Sequence, residues 1–294
     1  MAACQGPPRT ATPTTLDVRT QVPIQETAGG SFQTWDVLME SLSGASVVIL
    51  GELHNDAVGH GVQLAAVEDI LAQAGDGAVA MEMLERDEQL LVEDYIDGVL
   101  SSAEFAKMTN SAAWAGPGSW SAWYQPIIDA TVAAGGHVIA ANAPRRYVTL
   151  ARTGGVDAVD RLSPERRVLV ELPQTIPPPS YLRRFKEAMG DNRPDDSVID
   201  DYFRAQQTWD TTMAHSIAAA GPRPDRPVIL LVGQFHSNYQ GGVTASLKEL
   251  LGDGVEVVVI AMVPTTPGNF EAGDPVIVGD APIADIIIYT EDAR

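Results

Sequence analysis

The sequence has one cysteine, Cys4. That excludes an internal disulfide, a multi-cysteine metal site and an iron–sulfur cluster. Positive charge is scarce as well. Nineteen Lys and Arg stand against 39 Asp and Glu, a net charge of −20. A chain this acidic repels phosphates instead of displacing their counterions, which argues against a nucleic-acid partner. Adsorption to an anionic bilayer is disfavoured for the same reason. No apolar run reaches ~18 residues, so no transmembrane helix is predicted. There is no G-x-G-x-x-G and no Walker A loop to cradle a phosphate. There is no G-x-S-x-G, which disfavours a serine α/β-hydrolase, and no His-Glu-x-x-His.

What is present is ordinary material for a folded protein. The 294 residues are 45% hydrophobic and 20% charged, enough for one large domain with a sizeable core. Cys4 follows Met1-Ala2-Ala3 and precedes a Pro/Thr-rich stretch over 6–15. Small residues before a cysteine near an N-terminus resemble the end of a bacterial lipoprotein signal, although the charged and apolar regions of such a signal are missing here. The expectation is a disordered tail over 1–15, with a lipid anchor on Cys4 set against an incidental surface cysteine.

Hydrophobic periodicity organises the rest. Residues 16–26 read as an edge strand or hairpin, and 31–43 as a helix with Phe32, Trp35, Leu38 and Leu42 in phase. Then short β-branched runs alternate with helices. Strands are expected at 47–50, 78–81, 138–141, 227–232, 255–263 and 286–288, and helices at 61–74 and 87–97. Continuous apolar runs are the pattern of strands buried on both faces. The alternation predicts an α/β fold, a mostly parallel sheet with helices on both faces. Two stretches, about 85–121 and 152–212, break the alternation and read as helical insertions in a single domain over 16–294.

In open α/β sheets ligands bind beyond the carboxyl ends of the strands. Here the polar residues fall at that edge: Gly51-Glu52-Leu53-His54, then Glu82, then Asn142-Ala143-Pro144-Arg145, then Gly233-Gln234-Phe235-His236. Glu52, His54, Glu82 and His236 are the ligand types of a divalent metal. They are equally the types used for proton transfer, since a carboxylate beside an imidazole raises its pKa. A structural role for each residue taken singly stays open. Gln206, Asp210 and Met213 lie at i, i+4 and i+7 on one helix face and are expected to line the same crevice. Arg145 and Arg146 suit a carboxylate or propionate.

These residues carry a resemblance. Gly51-Glu52-x-His54, Gln63, Met81-Glu82-Met83 with Gln89, Trp123-Tyr124-x-Pro126, Asn142-Ala143-Pro144-Arg145, Ala205-Gln206 with Asp210-x-x-Met213-Ala214, and Gly233-x-x-His236 occur in that order over 45–262. The chain resembles the ChaN-like haem-binding proteins, within the wider Tiki/TraB and EreA-like group. The resemblance implies a parallel α/β sheet with a small helical domain. It also implies haem bound through a tyrosine, a homodimer, and a role in iron uptake as a lipoprotein of the bacterial cell envelope, at the outer membrane or in the periplasm. A phenolate is a hard donor for ferric iron. The candidates are Tyr124, Tyr147, Tyr181 and Tyr202, and the sequence does not choose among them. No Cys-x-x-Cys-His occurs, so covalent haem attachment is excluded. The wider group implies an alternative, a metal-dependent hydrolase, protease- or esterase-like, in which Glu52 or Glu82 serves as general base. A third class is a non-catalytic surface interaction protein.

Overall fold

The computed structural model describes residues 10–109, 111–112, 114–174, 177–190, 195–266, 277–278 and 281–291. Cys4 and the first part of the expected tail lie outside them. The strands are β1 (Ile24–Glu26), β2 (Phe32–Gln33), β3 (Val47–Glu52), β4 (Ala78–Glu85), β5 (His137–Asn142), β6 (Val228–Gly233), β7 (Val257–Val263), β8 (Ile277–Val278), β9 (Ala281–Pro282) and β10 (Ile286–Tyr289). The helices are α1 (Val18–Gln21), α2 (Trp35–Leu42), α3 (Ala57–Ala74), α4 (Gln89–Ile96), α5 (Ser102–Met108), α6 (Gln125–Ala133), α7 (Arg145–Asp160), α8 (Pro164–Arg167), α9 (Pro179–Ala188), α10 (Asp196–Ala219), α11 (Gln234–Ser237) and α12 (Gly242–Leu251).

Eight strands form one sheet in the order β2-β1-β10-β7-β3-β6-β4-β5. The stretch from β10 to β5 is parallel, and the β1–β2 hairpin closes one edge antiparallel. The fold is thus mixed α/β with a mostly parallel sheet. The chain moves outward from β3 to β4 and β5, then returns to insert β6 between β3 and β4. The tips of β3, β6 and β4 are therefore neighbours although they come from distant parts of the sequence.

Each central strand feeds two cores. In β3, Val48 and Leu50 join the core that includes α2, α3 and α6 residues, while Val47 and Ile49 join the core built with α10 and α12. In β4 the alternation puts Val79 and Met81 on the first face and Ala78 and Ala80 on the second. Period-2 side chains buried on both sides explain why the strands read as unbroken apolar runs. The alternation also sorts the polar tips: Glu52 follows Val48 and Leu50 toward α3, and Glu82 follows Ala78 and Ala80 toward α10.

The structure differs from expectation at element ends. β4 runs to Glu85, so Glu82 lies inside the strand and not after it. α3 begins at Ala57, where the Asp56 side chain caps it by accepting from the Val58 amide at 3.1 Å. Residues 16–26 open with α1 before β1, and 31–43 open with β2 before α2. Residues 10–15, expected as free tail, lie against the domain: the Ala11 amide donates to the Pro117 carbonyl at 2.9 Å. Among the described residues no helix is long and apolar enough to cross a membrane.

Candidate functional site

The Glu52 carboxylate is the centre of the first half of the site. It is buried. Its Oε1 accepts from His54 Nδ1 and from the Tyr124 hydroxyl, both at 2.7 Å. Its Oε2 accepts from Gln63 Nε2 at 2.6 Å, and His60 Nδ1 lies 3.6 Å away. Tyr124 reaches in because residues Trp120–Tyr124 form a single π turn ahead of α6, a local insertion that re-aims side chains. Burial works against the charge of Glu52. The charge of His60 and the hydrogen bonds from His54 and Tyr124 outweigh it and hold the carboxyl below its ordinary value. Burial likewise works against a charged His54, but Glu52 at bonding distance and the nearby charge of Glu82 win, and its pKa rises.

The second half is built alike on the other face of the sheet. His236, on α11 just past β6, places Nδ1 2.6 Å from Asp210 Oδ1. Asp210 Oδ2 accepts from the Tyr181 hydroxyl at 2.7 Å. Gln206 Nε2 donates to that same hydroxyl at 3.1 Å. Glu82 Oε1 lies 3.6 Å from His236 Nε2. Burial opposes the charge of His236, and the charges of Asp210 and Glu82 overcome it and raise the pKa to about 9. Both halves thus repeat one pattern, tyrosine to carboxylate to imidazole. In both, the phenol is pushed up, first by burial and then by the carboxylate charge it faces.

Gly233 joins the halves. It pairs with Glu52 in the β3–β6 register, and its amide donates to Glu82 Oε2 at 2.6 Å. A Cβ here would sit 3.1 Å from His54 Cε1 and 3.4 Å from Glu82 Oε2. The glycine leaves room for the His54 ring to lie over the strand tip beside Glu82. Asn142 supports the arrangement from β5, donating to the Glu82 carbonyl at 2.9 Å.

The structure therefore places Glu52, His54, Glu82 and His236 along one rim, as two adjacent imidazole–carboxylate pairs. It does not gather them as metal ligands. Among the described residues no group of three or more His, Cys, Asp or Glu is placed to hold an ion. Both Glu52 oxygens accept from protein donors, and each histidine has turned Nδ1 to its own carboxylate. Each imidazole, with its pKa raised by the carboxylate beside it, is placed to hold a proton.

The other expected residues are spread out. Gln206 and Asp210 enter the second half, while Met213 packs in the core. The Arg145 side chain is exposed, and its amide donates to Glu85 Oε1 at 3.0 Å. Arg146 pairs with Asp87 at 2.6 Å. Of the tyrosines, Tyr124 and Tyr181 are fully buried. Tyr147 is half-buried under the Arg146 guanidinium. Tyr202 is 43% exposed. Sequence reasoning overlooked His60, which stacks on Trp123 at 4.5 Å and donates from Nε2 to the His54 carbonyl at 3.2 Å. Its spacing three residues before Gln63 on α3 was the available signal.

With the geometry described, comparison with known proteins adds a lineage. No curated protein matches the chain significantly. Among solved structures, ChaN of Campylobacter jejuni, described as binding haem cofacially, superposes with a TM-score of 0.64 at 16% identity, covering 92% of this chain and 97% of that one. At this identity the likeness shows the fold. The type III effector HopBA1 aligns with a TM-score of 0.49 at 12% identity, over 95% of this chain and 100% of that one. An erythromycin esterase, EreC, aligns at 0.46 and 11%, over 92% and 84%. The family model for haem-binding uptake proteins of the Tiki superfamily, ChaN, matches residues 38–247. That match spans more than half of the chain and takes in both halves of the rim, so the protein belongs to the ChaN family of haem-binding proteins.

Proposed function

We propose that this chain carries haem on its surface through Tyr202, and that it does so for iron uptake as a lipid-anchored protein of the bacterial cell envelope. The observation that carries the assignment is the contrast among the tyrosines. Tyr124 and Tyr181 are buried and spend their hydroxyls on Glu52 and Asp210. The cavity beside Tyr181 and Asp210 is about 130 Å³, below the ~300 Å³ low end of cofactor-sized pockets. Tyr202 faces outward on α10, with the Arg152 guanidinium 4.8 Å from its ring. Val198, one turn earlier, is exposed too. An accessible phenol supplies a hard oxygen donor for ferric iron, the guanidinium suits a propionate, and the valine offers apolar contact to the porphyrin.

Titration with haemin tests this. The wild-type chain is expected to shift the Soret band and to show a tyrosinate charge-transfer band. Tyr202→Phe should lose the charge-transfer band and weaken binding at least about tenfold, the equivalent of roughly 1.4 kcal/mol. Loss in Tyr147→Phe with Tyr202→Phe unaffected would move the ligand to α7. The cofacial description of the Campylobacter relative supports a homodimer closing over stacked haems, so sedimentation should show the mass doubling only with haemin. The envelope assignment stands on Cys4. Cells expressing the chain behind a lipoprotein secretion signal that ends at Cys4 should incorporate labelled palmitate, and Cys4→Ser should not. Equal labelling of the two would remove the anchor.

A further inference from the structure

The first half of the rim is tied to the N-terminal segment by a short chain of contacts that haem binding at Tyr202 does not use. Thr10 and Ala11 lie on Gly118, where a Cβ would come within 2.8 Å of Thr10 Cγ2. The Ala11 amide donates to the Pro117 carbonyl at 2.9 Å. The Thr12 carbonyl accepts from Trp123 Nε1 at 2.9 Å. Thr14 lies on α3 at Gly61, where a Cβ would meet its Cγ2 at 2.5 Å.

What this segment grips is the aromatic support of the site. Trp123 stacks on His60, and His60 holds the His54 carbonyl and Gln63. The turn that carries Pro117 and Gly118 also carries Trp114, whose ring meets His54 edge-on at 6.1 Å between centroids. The turn closes through the Ala115 amide donating to Ser119 Oγ at 3.1 Å. Gly116 and Gly118 bend it with φ of 109° and 77°, a region that favours glycine. The five residues thus fasten Trp123 directly and Trp114 through the turn it shares with Pro117 and Gly118.

We propose that residues 10–14 are a strap that presses Trp114 and Trp123 onto the Glu52–His54 half of the rim, and that lifting the strap frees both rings from His54, whose side chain is already 44% exposed, and widens the approach to it. The inference stands on the strap contacts alone and is independent of the haem assignment. A segment held by one backbone hydrogen bond, one hydrogen bond from an indole and two glycine contacts belongs to the low-stability end of local opening, where such devices are found.

Two variants test it in the full chain. Gly61→Leu pushes on Thr14 from helix α3 and leaves the Trp114 turn unaltered. Trp123→Phe removes the indole donor to Thr12 and keeps an aromatic ring on His60. Amide exchange at Ala11 reads the strap, and the His54 ring signal, assigned with His54→Gln, reads the rim. Ala11 is expected to exchange at least about tenfold faster in both variants, with the His54 signal losing the Trp114 ring-current shift in step and acrylamide quenching the tryptophans more readily. An Ala11 amide that loses protection while the His54 signal stays put overturns the coupling. An Ala11 amide that keeps its protection in both variants overturns the strap.

Discussion

Glu52→Ala is expected to cost ~3–5 kcal/mol of stability, the range found when one member of a buried charged network is removed. The side chain is the shared acceptor of His54, Tyr124 and Gln63. Its loss leaves three donors with no acceptor, two of them on fully buried residues, and each such donor costs ~1–3 kcal/mol. Glu52→Gln keeps one carbonyl oxygen but sets an amide against the Gln63 amide, so a smaller loss of ~1–3 kcal/mol follows. Urea unfolding midpoints measure both, with unchanged slopes marking a true stability effect. A Glu52→Ala protein within ~1 kcal/mol of wild type would mean that water replaces the carboxylate, and the network would not be what orders this half of the rim.

Much of this was legible in the chain, and the reasons differ by residue. The strand runs 47–50 and 78–81 are read correctly because burial on both faces leaves no polar residue inside them. Gly51, Glu82, Asn142 and Gly233 mark the rim because polar and small residues return where the two cores end. What a linear reading misses is which face each tip addresses. A strand that runs four residues further than expected, as β4 does, fixes Glu82 by its alternation with Ala78 and Ala80, on the side opposite Glu52. Among the described residues no group of three or more His, Cys, Asp or Glu is placed to hold the metal ion that the sequence led us to expect. Side chains from opposite faces meet only at the tips, each with its own partners.

The partners themselves were harder to see. Asp210 and Tyr181 are 29 residues apart, and the Tyr124–Glu52 bond closes over 72. No local period carries such a contact, and a buried tyrosine reads in sequence like an iron ligand. Burial decides between the two roles: a phenol donating to a buried carboxylate resists the ionisation an iron ligand needs. The N-terminal segment shows the same limit from the other side. Its Pro/Thr composition reads as disorder, yet residues 10–14 hold carbonyls and methyls that fit glycine-bared surface on α3 and the Trp114 turn.

Asp210→Asn is expected to remove most of the loss of stability that the wild type suffers between pH 6.5 and 9. His236 titrates about 9 in the fold, against 6.5 for an unperturbed imidazole. The folded state holds this proton more tightly than the unfolded chain. Its contribution is therefore complete below pH 6.5 and is lost as the pH rises through about 9. A difference of this size corresponds to about 3 kcal/mol. The cause lies in the second half of the rim: burial disfavours the imidazolium, and the Asp210 and Glu82 charges more than repay it. An asparagine still accepts from Tyr181, and its amide donates to a neutral His236 Nδ1, so the fold survives while the proton loses its main counter-charge. Stability measured in urea across this range should fall with pH in the wild type and fall markedly less in the variant. His54, whose pKa is also raised, titrates in both proteins and cancels in the comparison. Parallel curves for the two proteins would show that His236 gives up no proton on unfolding, and the Asp210–His236 pair would then be a neutral hydrogen bond without a role in holding charge at the rim.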